Sequence, residues 1–167
     1  MGLGGILHSK GKDDWATPFD FFDRVNARFN FSLDACASSW NTKCGEYYTR
    51  ENSGLTHPWK TWTWCNPPYS DILSWYSKAY LEAQNGNSSV VLTFARTDTK
   101  AFHTYAARAT EIIFLQGRIK FIDPATKEPG DPAPAPSMLV IFDATKNLEP
   151  HKMQFAKMRF SKIKGIK

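Results

Sequence analysis

The chain contains few of the residues that crosslink proteins or anchor them in membranes. Its three cysteines, Cys36, Cys44 and Cys65, form no CxxC pair, and with four scattered histidines they make no zinc-binding pattern. We therefore expect free thiols in a reducing compartment and no metal site. No apolar run approaches the roughly 20 residues that cross a bilayer, and the first residues do not resemble a signal peptide.

Length and composition predict one globular domain with basic character. The 167 residues are 42% hydrophobic and 22% charged, which suits a chain that builds its own core. Residues 151–167 carry basic side chains and no acidic one. Such a tail suits a polyanion such as nucleic acid, or serves only as a solubilising terminus. We predict a flexible leader over 1–13, a folded domain over 14–150 and a basic tail over 151–167.

Segments typical of strands and helices alternate along this domain. Helices are predicted from Pro18 onward, with Thr17 as the cap, and over 72–83 and 100–109, the last with Asp98 or Thr99 as cap. Buried strands are predicted over 31–37, 61–65, 89–95, 111–115 and 137–142, and long irregular segments over 38–60 and 123–136. Strands that alternate with helices predict an α/β fold with a mostly parallel central sheet.

The tetrapeptide Asn66-Pro67-Pro68-Tyr69 follows a predicted strand. Its prolines remove two backbone donors and leave carbonyl acceptors. The Asn66 amide adds an acceptor and two donors, and Tyr69 offers a flat ring for stacking. Because ligands of such sheets bind at the carboxyl ends of strands, these groups predict a site for a planar substrate with an exocyclic NH2 group. A Pro-Pro turn that only ends the strand is the alternative.

Several motifs in one order resemble those of the phage-type DNA N6-adenine methyltransferases, the phage Dam family. Asn-Pro-Pro-Tyr after a strand is the catalytic motif of amino-group methyltransferases that use S-adenosylmethionine. The other matching motifs are Trp15-Ala16-Thr17-Pro18, Leu33-Asp34-Ala35-Cys36-Ala37-Ser38, Ala95-Arg96-Thr97-Asp98-Thr99, Gly117-Arg118-Ile119-Lys120-Phe121 and Ala135-Pro136-Ser137-Met138. The resemblance covers about residues 14–143 and implies a single-domain, Rossmann-like methyltransferase fold.

The resemblance also implies roles for individual residues. The side-chain oxygen of Asn66 and the carbonyl of Pro67 would accept hydrogen bonds from the adenine amino group, beside Pro68, and Tyr69 would stack on a base flipped out of the duplex. The residues implied to bind S-adenosylmethionine are Trp15, Thr17, Pro18, Asp34, Ala35, Cys36, Glu51 and Asn66. The glycine-rich form of the first cofactor loop is absent from residues 34–39.

The expected partner is double-stranded DNA, in the cytoplasm of a bacterial or phage-infected cell. Arg96, Arg118 and Phe121 are predicted to meet the substrate, although strand-end packing would also explain the last two. Only the segments 38–60 and 123–136 remain to contact bases, which predicts a short recognition sequence or relaxed specificity.

Two other functions fit the same residues. A protein glutamine N5-methyltransferase would use the tetrapeptide in the same way, because a carboxamide is also planar and carries an NH2 group. A nucleic-acid-binding domain without catalytic activity is the non-enzymatic alternative.

Overall fold

A computed structural model describes residues 14–148 and 153–157 of the chain. In these residues the helices are α1 (Phe19–Phe29), α2 (Ile72–Gln84) and α3 (Lys100–Thr104). The strands are β1 (Leu33–Asp34), β2 (Glu46–Tyr47), β3 (Thr63–Cys65), β4 (Ser89–Phe94), β5 (Glu111–Gln116), β6 (Ser137–Phe142) and β7 (Met153–Lys157). The predicted leader and most of the predicted tail lie outside the described residues, whereas 153–157 belong to the sheet. None of the described helices is long and apolar enough to span a membrane.

The strands form one mixed sheet in the order β2-β1-β3-β4-β6-β5-β7. The first four run parallel to one another, but β6 is antiparallel to both β4 and β5. The prediction of a mostly parallel sheet is therefore corrected to a mixed one. No helix lies between β5 and β6 to carry the chain back across the sheet, so β6 returns beside β5 in the opposite direction.

Helices cover both faces of the sheet. Phe22 and Val25 of α1 pack in one buried cluster with Trp64 of β3. Trp75 of α2 packs in a second cluster with Cys65, the next residue of β3. Successive strand residues point to opposite faces, which is why one short strand contributes to both clusters. Each such buried side chain contributes about 1.5–3 kcal/mol to the free energy of unfolding.

Most predicted elements differ from the observed ones by one or two residues at an end, as for the strand predicted over 61–65 and observed as Thr63–Cys65, and three differ in ways that have a structural reason. Helix α1 begins at Phe19 with Pro18 at its N-cap, and the predicted cap by Thr17 is wrong, because no side-chain capping bond forms there. The predicted strand 31–37 is reduced to Leu33–Asp34, because the Asp34 carboxylate accepts a hydrogen bond from the Cys36 N–H and turns the chain.

The predicted helix over 100–109 stops at Thr104 and resumes as a 3₁₀ turn at Ala106–Arg108. The ring of Tyr105, at the break, packs against Tyr80 of α2 with 5.8 Å between ring centroids. At the start of α3, Thr99 caps the helix as predicted, since its Oγ1 accepts the Phe102 N–H at 3.3 Å.

The predicted open loop 123–136 is largely a folded arm, which we define as residues 119–133. The N–H groups of Ala133, Gly130 and Asp123 donate to the carbonyls of Ile119, Phe121 and Glu128, at 2.8, 2.8 and 2.9 Å. The predicted loop is confirmed, since none of the described helices or strands lies between β5 and β6, but it is not open, because the residues next to the prolines supply backbone donors. These backbone hydrogen bonds hold the arm in a defined conformation.

The arm also pairs with the segment 14–17. The Ala16 N–H donates to the Ile122 carbonyl at 3.0 Å, and the Ile122 N–H donates to the Ala16 carbonyl at 2.8 Å. At the tip of the arm, the ammonium group of Lys127 lies 3.5 Å above the ring of Trp40. The arm therefore joins the segment 14–17 to the irregular region after β1.

Candidate active site

A cavity of about 350 Å³ lies at the carboxyl ends of β1 and β3. Its walls come from the segment 14–17, the strand end 34–38, residues between 41 and 55, and Asn66 with Pro68. This is the edge of an α/β sheet where ligands bind. The topology therefore brings half of the predicted site residues to one cavity, namely Trp15, Thr17, Asp34, Ala35, Cys36, Asn66 and Pro68.

The side-chain amide of Asn66 is held at both ends. Its Nδ2 donates a hydrogen bond to the backbone carbonyl of Trp15 at 3.1 Å, and its Oδ1 accepts one from the Tyr69 hydroxyl at 3.1 Å. The Trp15 carbonyl oxygen can only accept a hydrogen bond, so the atom of the Asn66 amide that faces it must be the donor, Nδ2. Oδ1 is consequently oriented as an acceptor and retains a second lone pair for a further donor.

The two prolines differ in how their carbonyls are used. The Pro68 carbonyl accepts the Asp71 N–H at 3.3 Å, within the 3₁₀ turn Tyr69–Asp71 that precedes α2. Among the described residues, no donor is hydrogen-bonded to the Pro67 carbonyl. The corner therefore holds two oxygen acceptors in adjacent residues, of which Asn66 lines the cavity, whereas Pro67 is buried and does not line it.

Tyr69 packs against Phe94, which sequence reasoning missed as a site residue. Their ring centroids are 4.4 Å apart and the rings are tilted by 58°. Burial raises the pKa of the Tyr69 hydroxyl, so that it remains a neutral donor. Phe94 ends β4, which pairs with β3, and this adjacency brings it beside Tyr69. The only sequence feature that could have identified Phe94 as a site residue was its position at the end of a predicted strand.

Asp34 is buried at the end of β1 and organises the loop that follows it. Its Oδ1 accepts the Cys36 N–H at 3.2 Å, and its Oδ2 accepts the Lys43 N–H at 3.0 Å. Burial raises the pKa of Asp34 from 3.8 to about 6, although these hydrogen bonds act in the opposite direction. Asp34, Ala35 and Cys36 all line the cavity.

A glycine does approach this loop, from a distant part of the sequence. A Cβ atom added to Gly54 would overlap the carbonyl oxygen of Ala35 and lie 3.2 Å from its carbonyl carbon. The Gly54 carbonyl accepts the indole N–H of Trp59 at 2.7 Å, which holds the glycine in place. The absence of a side chain at Gly54 therefore lets its backbone pack directly against that of Ala35.

Two hydroxyl groups at the cavity are buried without a partner. Thr17 and Ser38 line the cavity, and neither Thr17 Oγ1 nor Ser38 Oγ hydrogen-bonds to any other described residue. A buried polar group without a partner costs free energy. Both oxygens are shielded within the wall of the cavity, so rotation of either side chain would present its hydroxyl to a polar ligand.

Two of the other implied cofactor residues lie outside the cavity lining, whereas Trp15 lines it. Pro18 precedes α1 and is half-buried, but it does not line the cavity. Glu51 is exposed, and a hydrogen bond from the Thr49 hydroxyl at 2.6 Å lowers the pKa of its carboxyl. Its neighbour Arg50 lines the cavity instead.

None of the four predicted substrate residues, Tyr69, Arg96, Arg118 and Phe121, lines the cavity. Arg96 is exposed just after β4, on the same edge of the sheet as Asn66. Arg118 is exposed at the base of the arm and donates to the Ala133 carbonyl at 3.3 Å. The Phe121 ring packs in the α1-side core and is only 6% exposed, which disfavours its predicted contact with substrate.

The cysteines are free thiols, as predicted. Burial raises the pKa of Cys36 to about 12, so this cavity thiol is protonated at neutral pH. Within the described part of the chain, no cluster of three or more His, Cys, Asp or Glu side chains is placed to hold a metal ion.

Comparison with known proteins identifies the family of this chain. A model of the family DNA N-6-adenine-methyltransferase (Dam) matches residues 5–163. The DNA N-6-adenine-methyltransferase of Haemophilus phage HP1 is 34% identical over 160 residues, which cover 93% of this chain and 92% of the relative. The enzyme of the same name from Escherichia phage T1 is 31% identical over 108 residues, or 63% of this chain and 45% of the relative. This chain therefore belongs to the DNA N-6-adenine-methyltransferase (Dam) family.

Proposed function

We propose that this chain transfers a methyl group from S-adenosylmethionine to the N6 amino group of adenine in double-stranded DNA. The family membership supports the reaction, and one observation supports its location. The Asn66 amide is held by Trp15 and Tyr69 with its oxygen directed as an acceptor, at a strand end that borders a cavity. The amino group of adenine donates hydrogen bonds, so it requires an acceptor in a defined orientation. We place this action in the bacterial cytoplasm, where the DNA lies.

Asn66 and Pro67 act on the nucleophile. The lone pair of the adenine amino nitrogen is delocalised into the ring, which makes the nitrogen a weak nucleophile. Hydrogen bonds from its two N–H groups to Asn66 Oδ1 and the Pro67 carbonyl localise that lone pair and orient it for attack. No proton has to leave before the new bond forms, so positioning and electrostatic preorganisation carry the catalysis.

Residues of the cavity would hold S-adenosylmethionine. The partnerless hydroxyls of Thr17 and Ser38 supply polar contacts, and the loop 34–36 supplies its wall, with Gly54 packed behind it. Bound there, the group supplies an electrophilic methyl carbon on a sulfonium centre. We propose smaller contributions to the binding of S-adenosylmethionine from Trp15, which lines the cavity, and from Pro18 and Glu51, which lie outside its lining.

Tyr69 and its surroundings receive the adenine. A base inside a duplex cannot reach a strand-end cavity, so it must be flipped out. Tyr69, backed by Phe94, provides the ring surface against which it packs. Arg96 at the same edge, and Arg118 at the base of the arm, are exposed cations that suit DNA phosphates.

Mass spectrometry of nucleosides tests this function directly. Purified protein is incubated with labelled S-adenosylmethionine and double-stranded DNA, and the digested DNA should contain labelled N6-methyladenine. Asn66→Ala should lose the activity. Asn85→Ala, an exposed asparagine at the end of α2, is the matched control and should retain it. Label found only in protein or RNA, or full activity in Asn66→Ala, would refute the proposal.

A further inference from the structure

The catalytic amide and the arm meet through one residue, Trp15. The Trp15 carbonyl accepts the hydrogen bond from Asn66 Nδ2 at 3.1 Å. Its indole ring lies against Gly130 of the arm, so closely that a Cβ atom at Gly130 would come within 2.6 Å of the ring carbons Cζ3 and Cη2. The backbone carbonyl of Trp15 thus contacts Asn66, while its indole ring packs against the arm.

The segment around Trp15 has little freedom to move independently of the arm. Ala16 makes two backbone hydrogen bonds with Ile122, and Ile122 also bridges to Pro129 on the returning side of the arm. Gly130 follows directly and donates its own N–H to the Phe121 carbonyl at 2.8 Å. The next residue of the segment, Thr17, lines the cavity. A change in the position of the arm is therefore transmitted to both Asn66 and the cavity.

From these contacts we infer that Gly130 and the arm are positioning elements for catalysis, which set the orientation of the Asn66 amide through Trp15. Gly130 does not line the cavity, and it acts on the Asn66 amide only through the indole ring of Trp15. The absence of a side chain at Gly130 lets the ring sit where the Trp15 carbonyl meets Asn66. This inference rests on the proposed methyl transfer but concerns a part of the chain outside the Asn-Pro-Pro-Tyr motif.

The test compares two glycine-to-alanine variants. Gly130→Ala forces the indole ring to move, whereas Gly45→Ala places its methyl group in open space at an exposed position. Misplacement of a reacting group by about 1 Å costs on the order of 100-fold in rate. We expect kcat to fall by about tenfold or more in Gly130→Ala and to stay unchanged in Gly45→Ala. The Kd for S-adenosylmethionine and the melting temperature, measured in parallel, should change little by comparison.

A compensating substitution makes the test specific. Trp15→Phe keeps the backbone carbonyl but removes the ring atoms that the new methyl group would strike. The double variant Trp15→Phe/Gly130→Ala should therefore regain most of the kcat lost in Gly130→Ala. Failure of this rescue, or equal kcat in Gly130→Ala and Gly45→Ala, would overturn the inference.

A separate variant keeps the inference testable if Gly130→Ala does not fold. Trp15→Phe alone leaves a gap beside Gly130, which the alanine methyl group fills in the double variant, so the single variant should have a lower kcat than the double variant. An unchanged kcat in Trp15→Phe would also overturn the inference. Wild-type protein that methylates no DNA at all would instead refute the proposed function, so the two failures are distinguishable.

Discussion

The hydroxyl of Tyr69 donates a hydrogen bond to Oδ1 of Asn66, the same oxygen that the proposed reaction requires as an acceptor for the adenine amino group. A carboxamide oxygen has two lone pairs, so it can accept from both groups at once. Tyr69 therefore holds the acceptor in place from one side, and Trp15 holds the donor end of the same amide from the other. The acceptor is oriented before any substrate arrives.

Two functions of Tyr69, its hydrogen bond to Asn66 and its ring surface, can be separated by substitution. Tyr69→Phe removes the hydrogen bond to Asn66 but keeps the ring that packs on Phe94. A neutral hydrogen bond contributes about 0.5–1.5 kcal/mol, so kcat should fall by roughly 2- to 10-fold. Tyr69→Ala also removes the ring surface and should lose at least an order of magnitude more. Single-turnover methylation measures both variants, and equal rates for the two would contradict a role for the ring.

The partnerless hydroxyl of Thr17 predicts opposite effects on folding and on binding. Thr17→Val replaces the hydroxyl by a methyl group of similar shape, so the melting temperature without ligand should stay the same or rise. Affinity for S-adenosylmethionine, measured by calorimetry, should fall by roughly 10-fold or more, as for a hydrogen bond to a charged group.

Ser89→Ala is the matched control for Thr17→Val. Ser89 also has a buried hydroxyl with no partner among the described residues, but it lies at the start of β4, outside the cavity lining. Its removal should leave the affinity for S-adenosylmethionine unchanged. Unchanged affinity in Thr17→Val would show that its hydroxyl does not contact the ligand.

Asp34 predicts a pH dependence of stability. Burial raises the pKa of Asp34 to about 6 in the folded protein, above its ordinary 3.8. The folded state thus binds the proton more tightly than the unfolded state, and the contribution of Asp34 to the free energy of unfolding falls as the pH rises from about 4 to 6. The fall is about 3 kcal/mol, and it levels off above pH 7.

Asp34→Asn isolates this contribution, because asparagine does not titrate. Urea denaturation of wild type and variant between pH 4 and 8 gives the difference in free energy of unfolding at each pH. We expect wild type to lose stability relative to the variant as the pH rises to about 6. A slope of the opposite sign would mean that the hydrogen bonds from Cys36 and Lys43 outweigh burial.

Arg96 predicts a salt-dependent loss of DNA binding. It is exposed at the carboxyl end of β4, so Arg96→Ala should weaken binding to all DNA sequences alike and reduce the salt slope of log K by about 1. Arg108→Ala is the control, because Arg108 is also exposed but precedes β5, at the opposite edge of the sheet. Equal salt slopes in the two variants, measured by fluorescence anisotropy, would place Arg96 outside the DNA contact.

The sequence by itself determined the local chemistry of this protein. The apolar spacing of α1 and α2, the strand that ends at Cys65 just before Asn66, and the acceptors of the proline corner all follow from patterns of a few neighbouring residues. Such patterns depend on backbone preferences and on the faces that elements bury, which short segments carry with them. They also predicted that Asp34 and Asn66 follow neighbouring strands, and both residues line the cavity.

Only the tertiary structure decided how that chemistry is held. Asn66 is oriented by the carbonyl of Trp15, 51 residues away, and the loop after Asp34 is approached by Gly54. The direction of β6 and the folding of the arm depend on pairing between distant strands. Contacts of this kind arise from the packing of whole elements, and the spacing of residues along the chain does not specify which backbone group will lie beside which side chain.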